Sequence, residues 1–321
     1  MKCIENKKIL IIIIISSIIL ITGLILLIYF LTKSNEKDNR EYIDINQFDF
    51  QNKNVVLNNG YKMPIIGLGT WTVTGETVEN SVYFAIKNGY RLIDTAKMYN
   101  NERNVGNGIK KAINEGIIKR EELFVTTKLV PYSSNDYYKE IENCIERLDI
   151  GYVDLMLIHQ KGSDEKKLYS AIEKAISNGI VKSLGISNYY KKSDFDDITK
   201  SANILPVVIQ NENHIFYNDI EFQEYVGKYG IYIESYYPLG GRGHTNISLN
   251  NQIIVDIAKK YNKSSAQIIL RWHIQRGFIA IPGSKSENHI LENIDIFNFE
   301  LTDDEMNKIN NLNSGKRYES W

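Results

Sequence analysis

Eight short apolar runs, separated by segments with helical periodicity, constrain the fold of this 321-residue chain more than any other feature. The runs lie at residues 65–69, 92–93, 123–127, 153–158, 183–186, 207–209, 231–233 and 278–281. Strands that alternate with helices form a parallel sheet, because a helical crossover returns the chain to the same edge. Eight such units in about 250 residues predict a parallel (β/α)8 TIM barrel. The alternative is an open doubly wound sheet, but no Gly-x-Gly-x-x-Gly follows a strand.

Ionisable residues follow three consecutive runs. Asp94, Lys128 and His159 stand where the second, third and fourth strands end, and Tyr99 follows Asp94 in the same strand-to-helix loop. Taken singly, Asp94 could cap a helix, Lys128 could be a solvated lysine and His159 could be a core histidine. The carboxyl ends of parallel barrel strands share one rim, so we expect all four groups to meet there.

These four side chains suit one kind of chemistry. A phenol has a pKa near 10, and Lys128 beside the Tyr99 oxygen would lower that pKa while Asp94 holds the ammonium in place. His159 could donate a hydrogen bond to a substrate carbonyl oxygen. The set therefore predicts a reaction in which an oxygen gains negative charge and then a proton.

The segment from Gly89 to Gly106 resembles the signature of the aldo-keto reductase family. Asp94, Tyr99, Lys128 and His159 match the catalytic four of that family, and the resemblance covers roughly residues 54 to 313. It implies NAD(P)H-dependent reduction of an aldehyde or ketone to an alcohol, with the hydride from the nicotinamide and the proton from Tyr99. It also implies that a hairpin at residues 55–64 closes the bottom of the barrel.

The same resemblance assigns residues to a nicotinamide cofactor. It places Ser187, Asn188 and Gln210 at the carboxamide, Tyr236 against the nicotinamide ring, and Ser284, Glu292 and Asn293 at the adenosine end. Trp71 is expected to form one wall of the substrate pocket. No spacing of potential ligands requires a metal site, so none is predicted.

Cofactor preference is less well defined, because the sequence departs from the family pattern. Where well-studied members have a Lys and an Arg that clamp the 2′-phosphate, this chain has Gly283 and His289. We expect NADPH, with NADH possible, and Lys285 or Arg242 are the available substitutes for the missing cations.

The N-terminal region predicts a membrane anchor. Residues 9–31 carry no charge, and at about 1.5 Å per residue they can cross a hydrocarbon layer of about 30 Å. A removable signal peptide is the alternative. The predicted organisation is a tail at 1–8, a transmembrane helix at 9–31, a polar linker at 32–53, the barrel at 54–313 and a C-terminal tail at 314–321. The lipid bilayer is thus a predicted partner through residues 9–31.

Orientation and physiological role stay open at this level. Lysines flank the apolar run on both sides, so charge does not orient it, although the need for a reduced cofactor favours a cytoplasmic barrel. A net charge of −1 argues against nucleic acid as a partner. The alternative to an enzyme is a cofactor-binding redox sensor or an auxiliary subunit of a membrane protein. Substrate identity and oligomeric state are not predicted.

Overall fold

The computed structural model describes residues 23, 48–132 and 134–319, and their strands and helices alternate. A small antiparallel sheet comes first, formed by β1 (Phe48–Asp49), β2 (Asn54–Val56) and β3 (Lys62–Pro64). A parallel sheet follows, formed by β4 (Leu68–Gly69), β5 (Leu92–Asp94), β6 (Phe124–Leu129), β7 (Val153–Ile158), β8 (Val181–Ser187), β9 (Val208–Glu212), β10 (Tyr232–Tyr236) and β11 (Phe278–Ala280).

Helices occupy the connections between the parallel strands. They are α1 (Gly75–Lys87), α2 (Glu102–Asn114), α3 (Tyr137–Leu148), α4 (Glu165–Ser177), α5 (Lys192–Thr199), α6 (Ile220–Gly227), α7 (Thr245–Leu249), α8 (Gln252–Tyr261), α9 (Ser265–Gln275), α10 (Glu287–Ile294) and α11 (Asp303–Asn310). Two 3₁₀ turns, Lys97–Tyr99 and Arg120–Glu122, precede α2 and β6.

The parallel sheet closes on itself. Its strands pair in sequence order from β4 to β11, and parallel bridges join Ile66 to Ala280 and Gly69 to Gly283. The Gly67 N–H donates to the Ala280 carbonyl at 2.9 Å across this seam. An eight-stranded parallel sheet that curls until its first and last strands meet fits a (β/α)8 barrel, as the sequence predicts.

Alternation along the strands divides the apolar residues into two clusters. Ile93, Met156 and Ile158 pack between the sheet and the helices, whereas Leu155 and Leu157 pack in the other cluster, inside the barrel. Side chains two residues apart point to the same face of a strand, so polar groups near the carboxyl ends of the strands continue the inner set. This alternation turns the rim residues inward.

Helix α2 packs close to the end of α3 because it carries a glycine at the contact. A Cβ built on Gly106 would lie 1.9 Å from the Leu148 carbonyl oxygen, well inside contact distance. Gly106 therefore lets α2 settle against its neighbour, and α2 follows directly on the loop that carries Tyr99.

The hairpin predicted at residues 55–64 is confirmed, since β2 and β3 pair antiparallel with Val55 opposite Met63. Both residues belong to the inner apolar cluster, so the hairpin closes one end of the barrel. A third strand, β1, pairs with β2 and lies in the stretch predicted as linker. The Phe48 ring contacts Tyr232 at a centroid distance of 5.7 Å. The packed domain therefore starts at or before Phe48, ahead of the expected boundary at residue 54.

The predicted tail at 1–8 and span at 9–31 lie outside the described residues, apart from Gly23, as does the linker up to residue 47. Among the residues that the structure does describe, no helix is long and apolar enough to cross a membrane.

Candidate active site

The four predicted catalytic residues meet at the carboxyl rim of the barrel. Asp94 is the last residue of β5, and Lys128 is the second-to-last of β6. His159 follows β7 directly, and Tyr99 ends the 3₁₀ turn after β5. Asp94, Tyr99 and His159 line one cavity of about 660 Å³, a size typical of small-molecule sites.

Lys128 is the centre of this cluster. Its Nζ lies 2.6 Å from Asp94 Oδ1, 3.0 Å from the Tyr99 hydroxyl and 3.0 Å from the Thr95 carbonyl oxygen. An ammonium group has three N–H donors, so all of them are used. Burial alone would lower the pKa of Lys128, but the Asp94 carboxylate and the Tyr99 oxygen raise it above the usual value. The cluster thus holds a fixed positive charge against the phenol.

Tyr99 keeps its proton in this setting. Burial raises the pKa of Tyr99, Lys128 acts to lower it, and Asp94 acts to raise it again. The sequence predicts the direction of the Lys128 effect on this pKa, but burial outweighs that effect. The hydroxyl therefore stays a phenol at neutral pH, which is the form that a proton donor requires.

His159 faces Tyr99 across the cavity. The two rings meet edge to face, with centroids 5.7 Å apart, and the Asn188 Nδ2 donates to the His159 carbonyl at 2.9 Å. Burial and the Lys128 charge lower the pKa of His159 to about 3. The imidazole is therefore neutral and has one N–H to donate. Its Nδ1 is buried and has no hydrogen-bond partner in the part of the chain that the structure describes.

The four residues expected around the nicotinamide form a continuous wall beside this cluster. Ser187 and Tyr236 end β8 and β10, Asn188 directly follows β8, and Gln210 is the central residue of β9. All four line the cavity. The Tyr236 hydroxyl donates to Asn188 Oδ1 at 2.7 Å. Asn188 itself adopts a left-handed φ of 64°. Since Asn188 also bonds to His159, it ties the Tyr236 ring to the catalytic cluster.

Gln210 tests whether these residues fit a nicotinamide. Its Nε2 donates to Asp94 Oδ2 at 2.9 Å and to Glu234 Oε2 at 2.8 Å, so both N–H groups are used. Its Oε1 accepts no bond from the described residues and is not sealed off from the cavity. Ser187 pairs in register with Gln210, so the free amide oxygen and the Ser187 hydroxyl together offer the acceptor and the donor that a carboxamide needs. The wall therefore fits the cofactor.

The opposite end of the cavity includes some of the residues expected around the adenosine. Gly283, Ser284, Lys285 and His289 line it, whereas Glu292 and Asn293 in α10 do not. A Cβ built on Gly283 would lie 3.1 Å from the Gly69 carbonyl oxygen, a tight contact at the seam of the barrel. Close packing of β4 against this loop thus favours glycine where the family pattern has a lysine.

The substrate side of the cavity has an aromatic wall. Trp71 lies with its ring centroid 6.5 Å from that of Tyr99 and 5.6 Å from that of Tyr237. The Arg242 guanidinium carbon stands 4.9 Å from the centre of the Trp71 ring, a cation–π distance. Trp71 therefore lines the cavity, and Arg242 extends that wall toward solvent.

Two buried glutamates were missed by sequence reasoning. Glu234 lies within the seventh barrel strand, β10, and the available signal was that it directly follows the predicted run at 231–233. Glu212 ends β9, and its Oε1 accepts a hydrogen bond from His214 Nε2 at 3.1 Å. Among the described residues, no three His, Cys, Asp or Glu side chains lie so that they could hold a metal ion.

Comparison with known proteins agrees with this geometry. The model described as the Aldo/keto reductase family matches residues 65–314. A glyoxal reductase of Bacillus subtilis is 42% identical over 269 aligned residues, and the match covers 82% of this chain and 94% of that protein. An NADH-dependent D-xylose reductase of Candida parapsilosis is 35% identical over 83% of this chain and 94% of its own length.

A solved structure gives the same result. The crystal structure of a Bombyx mori aldo-keto reductase in complex with NADP matches with a TM-score of 0.78 and 33% identity, over 83% of this chain and 94% of that one. Sequence, fold and rim geometry agree over most of the chain. The protein therefore belongs to the aldo/keto reductase family, as an NAD(P)-dependent oxidoreductase that reduces carbonyl groups.

Proposed function

We propose that Tyr99 donates the proton that completes the reduction of an aldehyde or ketone to an alcohol. The observation that carries this proposal is the placement of Lys128 Nζ, 3.0 Å from the Tyr99 hydroxyl and 2.6 Å from Asp94. The charge on Lys128 stabilises the phenolate that remains after proton transfer, and Asp94 holds that charge in place.

His159 has a separate role in this proposal. As a neutral imidazole with one N–H, it orients the substrate carbonyl by donating to its oxygen. A nicotinamide held by Ser187, Asn188, Gln210 and Tyr236 would supply the hydride. The carbonyl oxygen then takes the Tyr99 proton, and the phenolate is reprotonated from solvent.

Replacing Tyr99 with phenylalanine tests the assignment. Tyr99→Phe should lower kcat with a reactive aldehyde by at least about a thousandfold and leave the Kd of NADPH nearly unchanged. Tyr83→Phe is the matched control, because Tyr83 lies on α1 and its hydroxyl bonds to Glu115. Unchanged turnover in Tyr99→Phe would refute the role. A single stoichiometric oxidation of bound NADPH by the unmodified protein, without further turnovers, would favour the redox-sensor alternative.

Small aldehydes are the proposed substrates. The glyoxal reductase of Bacillus subtilis and the D-xylose reductase of Candida parapsilosis support this class. Trp71 and Tyr237 make one side of the cavity aromatic, and Arg242 lies beside Trp71. A panel of glyoxal, methylglyoxal, xylose and a bulky aromatic ketone should show the highest kcat/KM for the dicarbonyls. A higher kcat/KM for the ketone would contradict small aldehydes as the substrate class.

For the cofactor we propose NADPH, with NADH accepted more weakly. Lys285 stands beside Gly283 and Ser284 on the cavity wall and supplies the cation for a 2′-phosphate. Lys285→Met should raise the KM for NADPH several-fold and leave the KM for NADH unchanged. The same substitution at Lys200, on the outer side after α5, is the control. An equal change for both cofactors would contradict the assignment.

Residues 9–31 are proposed to anchor the barrel in a bilayer with the barrel on the cytoplasmic side. The support is their uncharged sequence and the cytosolic supply of reduced cofactor. Protease treatment of sealed vesicles that carry the full chain tests both points. Recovery in the soluble fraction would contradict the anchor, and protection of the barrel inside vesicles of the opposite orientation would contradict the side.

A further inference from the structure

Glu234 is a fully buried acid inside the barrel that the mechanism above does not use. It is the third residue of β10, where it pairs in register with Gln210 on β9 and Ile279 on β11, and its exposed fraction is 0%. The alternation of strand side chains places it on the same face as Tyr236, toward the barrel interior.

Only one of its two oxygens is bonded. Glu234 Oε2 accepts the Gln210 Nε2 at 2.8 Å, whereas Oε1 is buried and finds no partner in the described part of the chain. An unsatisfied buried polar atom costs stability, and an apolar side chain at this position would avoid that cost. The hydrogen bond to Gln210 is therefore the interaction that a glutamate makes here and an apolar side chain could not.

The geometry of Gln210 shows what that bond does. The amide has two N–H groups, and Asp94 Oδ2 and Glu234 Oε2 accept one each. Burial raises the pKa of Asp94, but the Lys128 ammonium, 2.6 Å from its Oδ1, favours the ionised carboxylate. An ionised carboxylate only accepts, so it must face the amide nitrogen. With both N–H groups taken and the amide planar, the oxygen points away from both acids. Removal of either acceptor frees the amide to turn.

We propose that Glu234 is a positioning residue that, together with Asp94, fixes the Gln210 amide so that its oxygen receives the carboxamide N–H of the nicotinamide. This rests on the proposed function, in which Gln210 forms part of the cofactor wall. Glu234 does not touch the cofactor and acts through Gln210.

The charges around Glu234 agree with this role. Burial and the nearby Asp94 charge raise the pKa of Glu234 to about 8, against opposing effects of Gln210 and Lys128. At neutral pH the acid is therefore uncharged, and the Asp94 and Lys128 pair remains neutral as a whole. The position needs an acceptor and not a charge, so a glutamine should replace it.

A double-mutant cycle tests this. The variants are Glu234→Leu, Gln210→Leu and the double variant, with Glu234→Gln as the conservative replacement, and the readout is the Kd of NADPH from tryptophan fluorescence without substrate. We expect Glu234→Leu to weaken binding about tenfold, because one Gln210 N–H loses its acceptor. Glu234→Gln should bind within about threefold of the unmodified protein. The double variant should bind no worse than Gln210→Leu alone.

Additive losses in the double variant would overturn the inference, as would a Glu234→Gln variant as weak as Glu234→Leu. Thermal unfolding of each variant checks that it folds. If Glu234→Leu does not fold, Glu234→Ser replaces it, because the serine hydroxyl is too short to reach Gln210. The readout does not depend on turnover. If the cycle gives additive losses while Tyr99→Phe is inactive, only the role of Glu234 is contradicted. If Tyr99→Phe keeps its activity, the proposed function is contradicted.

Discussion

Glu234 and Glu212 are two buried glutamates on neighbouring strands, but their surroundings favour a neutral acid at Glu234 and a charged carboxylate at Glu212. Both are at most 1% exposed. Glu234 accepts one hydrogen bond, and burial raises its pKa to about 8. Burial also acts to raise the pKa of Glu212, but hydrogen bonds from His214 and from the backbone N–H groups of Tyr318 and Glu319 lower it below the usual value.

Burial alone therefore does not decide whether an acid inside this barrel is charged. The number of donors that reach the carboxyl decides it. Around Glu234 the donors are already committed, since Lys128 gives all three of its N–H groups to other atoms. Around Glu212 the C-terminal segment, residues 317–319, brings two N–H groups and the Arg317 guanidinium, which lies 3.7 Å away. One acid is thus part of the catalytic network and the other anchors the C-terminal segment.

The largest effect is expected from removing the cation of the catalytic network. Lys128→Met leaves Asp94 buried and uncompensated beside Glu234, and should lower the free energy of unfolding by about 3–5 kcal/mol. Denaturant unfolding measures it. Asp94→Asn combined with Lys128→Met should recover part of the loss, because no buried charge is then left alone. A double variant less stable than Lys128→Met would contradict the ion-pair account.

A direct contrast comes from the same isosteric substitution at both glutamates. Glu212→Gln turns one acceptor into an N–H donor that faces the backbone N–H group of residue 318 or 319, and should cost about 1–3 kcal/mol. Glu234→Gln replaces an already neutral acid and should cost less than about 1 kcal/mol at pH 7. Urea unfolding of the two variants measures both. Equal losses would mean that the two acids do not differ in charge.

The pH dependence of stability should have opposite signs at the two sites. Between pH about 4.5 and about 8 the folded state keeps the Glu234 proton that the unfolded state has lost, so its contribution falls as pH rises. Glu212 has a lowered pKa, so its contribution is complete above about pH 4.5 and is lost as pH falls below that value. Each slope is at most about 1.4 kcal/mol per pH unit.

Unfolding in urea across this pH range separates the two contributions. In the unmodified protein the free energy of unfolding should decline toward pH 8 and in acid. Glu234→Gln should remove the decline toward pH 8, and Glu212→Gln should remove part of the decline in acid. If Glu234→Gln leaves the decline toward pH 8 unchanged, then Glu234 is ionised in the folded state and the contrast between the two sites does not hold.

Much of the catalytic region was predictable from the sequence, for a physical reason. Asp94, Lys128 and His159 each follow a strand signal, and a parallel barrel brings strand ends together whatever the intervening sequence. Glu234 also directly follows a predicted run, at 231–233, but it was not singled out, because its role depends on Gln210 from the neighbouring strand. The net pKa of Tyr99 was also missed, because burial depends on the whole packed rim.

The anchoring of the C-terminal segment was beyond sequence reasoning altogether. Residues 314–321 were expected only as a tail, yet Glu319 bonds to Glu212, 107 residues earlier in the chain. No periodic pattern marks a contact between one carboxyl and a backbone N–H at that separation. The strand β1 was missed for a similar reason, since two residues are too few to show alternation.

The smallest expected effect concerns the aromatic contacts of the C-terminal segment. The Tyr318 ring stacks on His214 with centroids 4.6 Å apart and on His244 with centroids 3.7 Å apart. His244 follows Gly241, Arg242 and Gly243, which line the cavity. Tyr318→Leu keeps an apolar side chain but loses both stacked contacts, so it should cost about 1 kcal/mol of stability.

The same substitution should speed NADPH release a few-fold, because the stack links the segment held by Glu212 to the glycine-rich loop beside the cofactor wall. Stopped-flow fluorescence measures the release rate, and Tyr61→Leu is the matched control, since Tyr61 is an exposed tyrosine next to β3 at the closed end of the barrel. If Tyr318→Leu and Glu212→Gln both destabilise the protein while neither changes the release rate, the C-terminal segment supports the fold alone. A faster rate in both variants would show that the charged glutamate governs the cofactor loop through the segment it holds, just as the neutral one is proposed to govern the carboxamide contact through Gln210.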